Sequence, residues 1–106
     1  TIAIFAEGIT SRAPTASDSD SNALTALHAQ AQLAADLLAA KELVLLGFPD
    51  NRMDTVALLD VIKPMEALID RTQPDTIYTH HGGDLNVDHQ TIFRAALTAT
   101  TRGYWP

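Results

Sequence analysis

The segment Thr79-His80-His81-Gly82-Gly83-Asp84-Leu85-Asn86-Val87-Asp88-His89 gathers three of the chain's four histidines with two carboxylates around a Gly-Gly pair. Neutral imidazoles and carboxylates are the ligands that suit a borderline cation such as Zn²⁺. A histidine directly after an aspartate can also have its ring oriented by a carboxylate acceptor. The segment therefore reads as half of a metal site, with His89 as the best ligand candidate. Asp88 has a second reading as a helix N-cap, a position that favours aspartate. Gly82 and Gly83 are read as a tight turn that uses positive φ. No cysteine occurs, so thiolate ligands and disulfides are excluded and any metal must be held by nitrogen and oxygen.

Such side chains need a framework to bring them together. Thr1 to Ala6 has the short apolar run of a buried strand, and Gly8 to Asn22, with its Ser-Asp-Ser-Asp-Ser centre, reads as a loop. From Ala23 to Lys41 the positions Leu24, Leu27, Ala31, Ala34 and Leu38 fall on one helical face, with Asn22 as a cap. Leu43 to Leu46 is a second buried strand, closed by Gly47. A helical pattern spans Thr55 to Arg71 through Leu58, Ile62, Met65 and Leu68, with Asp54 as a candidate cap; Pro64 inside it predicts a kink or a restart. Asp75 to His80 is expected to be a third strand. A third helix is expected from Asp88 to about Thr100, with Ile92, Phe93, Ala96 and Leu97 inward.

Strand, helix, strand, helix, strand, helix implies right-handed crossovers and a mainly parallel sheet. Ligands of open α/β sheets bind beyond the carboxyl ends of the strands. Glu7, Ser11 and Arg12 follow the first strand, Asp50 and Arg52 the second, and His80 to His89 the third. They are expected to converge on one edge.

Leu46-Gly47-Phe48-Pro49-Asp50-Asn51-Arg52-Met53-Asp54, followed by Pro74-Asp75-Thr76-Ile77-Tyr78-Thr79-His80-His81-Gly82-Gly83-Asp84-Leu85-Asn86-Val87-Asp88-His89, resembles the LmbE-like, or PIG-L, deacetylase family. The resemblance runs from Thr1 to about Thr100, and makes the chain a partial domain of a Rossmann-like three-layer fold. It implies a zinc-dependent hydrolase that removes the acetyl group from an N-acetylglucosaminyl compound or a similar amide. His89 matches the family's later metal ligand. The family's other ligands come from an Ala-His-Pro-Asp-Asp motif that these residues do not contain. Asp88 matches an acceptor that orients a catalytic imidazole. Where many members place a histidine, this chain has Asn86, which can donate to an oxyanion but cannot shuttle a proton. That departure turns attention to His80 and His81 as assisting groups. Arg12 and Asp50 resemble positions that bind sugar or phosphate-like groups. His28, within the alanine-rich helix, is read as structural or exposed.

A net charge of −6 over 106 residues supplies no basic stripe for a nucleic-acid backbone. The apolar runs fall far short of the roughly 20 residues that span a membrane, and no signal-peptide pattern is present. A cytoplasmic location is the expectation. Starting at Thr1 without a Met, and missing the family's first motif, the chain reads as part of a larger domain. Alone it is expected to bind zinc weakly, to be inactive, and to self-associate as a homo-oligomer through an uncovered sheet edge. The rival reading is a non-catalytic truncated remnant or isolated α/β folding unit. A nucleotide-binding module is disfavoured, because Glu7-Gly8-Ile9-Thr10-Ser11-Arg12 lacks the glycine fingerprint.

Overall fold

In the computed structural model, residues 1–8 and 18–101 are described. The chain divides after Asp50 into two compact units. The first is a β-α-β unit: β1 (Ile2–Ala6), α1 (Asp18–Leu37) and β2 (Leu43–Phe48), with the strands parallel. The second contains a 3₁₀ turn (Met53–Thr55), α2 (Leu58–Thr72) and α3 (Val87–Thr100). Among the described residues, two parallel strands and three helices make this a mixed α/β chain.

In the first unit, Ile2 pairs with Leu43, Ala3 with Val44 and Ile4 with Leu45, but Ala6 pairs with Phe48. β2 thus carries one extra residue near Gly47 and continues past it to Phe48, where the sequence predicted an end at Leu46. Glycine fits an irregularity of this kind, because the bulged strand bends there. Phe5, buried, stacks on Phe48 with ring centroids 5.9 Å apart.

The helix α1 begins before Asn22, the expected cap. The Thr25 hydroxyl donates to the Ser21 carbonyl at 2.9 Å, an i to i−4 bond within the helix. An alanine-rich helix, once nucleated, propagates readily into such a flank. It stops at Leu37 and not Lys41, because Ala39 turns to φ 54°. The Ala40 N–H then reaches the Ala35 carbonyl and the Ala39 N–H the Asp36 carbonyl, both at 3.0 Å, the pairing of a Schellman end. Ala35 is buried where Ala34 and Leu38 were expected, and Leu38 is 72 % exposed.

The second unit packs α2 on α3 through Val61, Ile62 and Met65 from one helix and Ala95, Ala96 and Ala99 from the other. Pro64 does not restart α2, which runs unbroken from Leu58 to Thr72. Asp54 lies in the 3₁₀ turn and does not cap α2, whose N-cap is Ala57. Leu97, expected inward, is half exposed. The largest departure is Asp75 to His80. Among the described residues it pairs with no strand, and Ile77 and Tyr78 are exposed, Tyr78 by 94 %. An apolar run becomes a strand only where a neighbouring backbone supplies ladder bonds, and none does here. Among the described residues no helix is long and apolar enough to cross a membrane.

Candidate metal site

The start of α3 organises the histidine segment. Asn86 is its N-cap: Oδ1 accepts the N–H groups of Asp88 at 2.9 Å and His89 at 3.2 Å. Asp88 is therefore not the cap. Just upstream, the Asp84 N–H donates to the His81 carbonyl at 3.1 Å, closing a turn over Gly82 and Gly83. Neither glycine has positive φ, contrary to expectation. Crowding explains them instead. A Cβ on Gly82 would lie 2.6 Å from the Phe93 ring, and one on Gly83 would lie 2.9 Å from the His81 Nε2.

Asp84 is the hub of this turn. Its Oδ1 accepts the Asn86 N–H at 2.8 Å, and its Oδ2 lies 2.8 Å from the His89 Nδ1. The Gln90 side chain donates to its backbone carbonyl at 2.7 Å. Hydrogen bonding from His89, and then from the Asn86 amide, holds the Asp84 carboxyl below the usual carboxylate range. A carboxylate only accepts, so the His89 Nδ1 carries the proton of this bond. A neutral His89 ring then presents Nε2 as its lone pair.

His80 lies flat on His89, with ring centroids 4.1 Å apart and planes 14° from parallel. Its Nδ1 is buried and has no hydrogen-bond partner. Burial lowers the His80 pKa; the neighbouring His89 adds to this, and Asp84 opposes it. His81 is exposed.

Asp88 is 5 % exposed, and both its carboxylate oxygens are used. Oδ2 accepts the Asn51 N–H at 2.6 Å and Oδ1 the Met53 N–H at 3.0 Å. It fixes the backbone that enters the 3₁₀ turn, including Asn51 in the left-handed region at φ 55°. The carboxylate on an imidazole is thus Asp84, where the sequence reading had chosen Asp88. The missed signal was the N-cap itself: Asn86 as cap turns Asp84 back across the first helical turn to His89.

Asp50 is half-buried in the turn after β2, and Arg52 is exposed. Arg12 and Ser11 lie outside the described residues. In the first unit, the His28 Nε2 is 4.0 Å from Glu7 Oε1 and has no hydrogen bond. No group of three metal-ligating side chains exists among the described residues. His89, with Nδ1 committed to a carboxylate, has the chemistry of one ligand. The described residues fit part of a metal site and no complete set.

A family model described as GlcNAc-PI de-N-acetylase, PIG-L, matches residues 1–100. The chain belongs to the PIG-L family. Searches of curated proteins and of solved structures found no match. The PIG-L match covers both units, and the hydrogen-bonded cluster of Asp84, Asn86 and His89 lies within it.

Proposed function

We propose that this chain carries part of the active site of a zinc-dependent N-deacetylase acting on an N-acetylglucosaminyl compound or a similar amide. The observation that supports the reading best is the 2.8 Å bond between Asp84 and the His89 Nδ1. That bond leaves Nε2 for a metal and fixes the tautomer and orientation of the ring. When bound, zinc polarises a carbonyl and lowers the pKa of water to about 7.

In this reading His89 is the ligand and Asp84 its orienting acceptor. His80, His81 and Asn86 are the candidates to steady the oxyanion of the attacked amide. Asn86 Oδ1 accepts the helix-cap bonds, and its Nδ2 is the side-chain donor that remains for a substrate oxygen. Asp88 acts by holding the Asn51–Met53 backbone. Arg12 and Asp50 are proposed to bind the sugar, on the sheet edge of a Rossmann-like fold. A cytoplasmic location and a homo-oligomeric state belong to the same reading.

The family's Ala-His-Pro-Asp-Asp motif is not among these 106 residues. We therefore expect the chain as it stands to bind zinc weakly and to release no acetate at a useful rate. The lack of a three-ligand group among the described residues favours, as a second reading, a non-catalytic remnant. Zinc titration of the chain, with acetate release from N-acetylglucosamine measured alongside, separates the readings. Weak zinc uptake that disappears in His89→Ala supports the deacetylase reading; full uptake by that variant removes His89 from the ligand set.

A further inference from the structure

We propose that His80 is a positioning residue whose flat face, and not its nitrogen, sets the plane of the His89 ring. Two contacts define that ring. Asp84 fixes Nδ1 at 2.8 Å, but one hydrogen bond leaves the imidazole able to tilt about the Nδ1···Oδ2 line. The second contact removes the tilt: the His80 ring covers one face of His89 at a centroid distance of 4.1 Å. Together they fix where Nε2 points.

The geometry also excludes His80 as a co-ligand of an ion on His89. A metal lies in the plane of the imidazole that binds it, about 2.0–2.1 Å from the nitrogen. The two planes are 14° from parallel and face to face. The nitrogen lone pairs of the two rings run in separate, nearly parallel planes, so His89 would hold an ion without His80 as a second ligand. The His80 Nδ1, buried and without a partner, makes no hydrogen bond that would account for the residue's placement, whereas the stack does. His80 reaches this position at the end of the irregular segment that follows α2, and the turn at Gly82 and Gly83 brings the chain back to α3.

The zinc arm of the test rests on the proposed metal role of His89; the spectroscopic arm does not. In the 15N-labelled, metal-free chain, the His89 ring nitrogens report its tautomer. The parent is expected to show a protonated Nδ1 and a bare Nε2. His80→Phe, which keeps a flat ring and removes both nitrogens, should retain that pattern, and His80→Tyr replaces it if the Phe variant does not fold. His80→Ala should move His89 towards mixed tautomers with broadened signals. With zinc alone as the probe, the ring-bearing variant should stay within about threefold of the parent affinity, and His80→Ala should fall about tenfold, as is usual when the support of a ligand is lost. A ring-bearing variant as weak as His80→Ala would show that a nitrogen matters, and an Ala variant matching the parent in both measurements would show that the stack does not position His89. A parent that takes up no zinc would sink the metal reading of His89, while the ring spectra would still decide the stack.

Discussion

His89 draws its orientation from Asp84, a residue only five positions before it, held through a cap that lies between them. Replacing Asp84 by Ala should therefore lower zinc affinity by about 10- to 100-fold while His89 itself remains, as competition titration against a chelator would read. Asp84→Asn keeps an acceptor but not its charge, and should fall between the variant and the parent. His80 should titrate below the ordinary histidine value in the metal-free chain, since burial disfavours its charged form; its ring-proton shifts against pH would show this. The sequence made His89 legible because histidine and carboxylate types cluster around it. It did not reveal which carboxylate serves, because Asp88 is adjacent in sequence yet points to Asn51 and Met53. Adjacent helical residues diverge by about 100°, so nearness along the chain misled.

Asp88 ties α3 to the turn before α2 through two backbone bonds, one buried and one partly buried. Asp88→Asn turns one accepting oxygen into a donor that faces an N–H. It should cost about 2 kcal/mol of stability, seen as a lower urea midpoint, with zinc uptake little changed. In the first unit, just past the end of α1, Ala39 holds a left-handed conformation where glycine is usual. Ala39→Gly should stabilise by up to about 1 kcal/mol, because the relief of strain exceeds the added freedom of the unfolded chain; a raised thermal midpoint would show it. The helices α1, α2 and α3 were legible from their apolar spacing, with errors at the ends where caps and αL residues decide. Asp75 to His80 was not, because its apolar content matches a strand while the ladder that makes one comes from elsewhere in the chain.

For the molecule as a whole, acid is the condition to which the histidine cluster is most sensitive. The folded pKa values of His80 and Asp84 are both lowered, so the unfolded chain binds protons first as pH falls. The stability these groups contribute is fully present above the ordinary histidine value of about 6.5. It is lost first through His80 as pH drops below that value, and then through Asp84 below the ordinary carboxylate range. Urea midpoints of the metal-free chain at pH 8, 6 and 5 should decline, and His80→Phe should flatten the upper part of that decline. A midpoint that rises between pH 8 and 5 would contradict the assignment.

The crowding of Gly82 against Phe93 has a kinetic consequence. It joins residues only eleven apart, and the stack of His80 on His89 and the bond from Asp84 are as local. Loops of about ten residues close within roughly 10–100 ns. The Asp88 bonds instead span separations of 37 and 35 residues and must wait for α2 to dock. The histidine turn should thus form early and the Asp88 contacts late. Gly82→Ala, which forces a methyl against the Phe93 ring, should chiefly slow refolding, whereas Asp88→Asn should chiefly hasten unfolding. Stopped-flow chevrons of the two variants would separate these limbs.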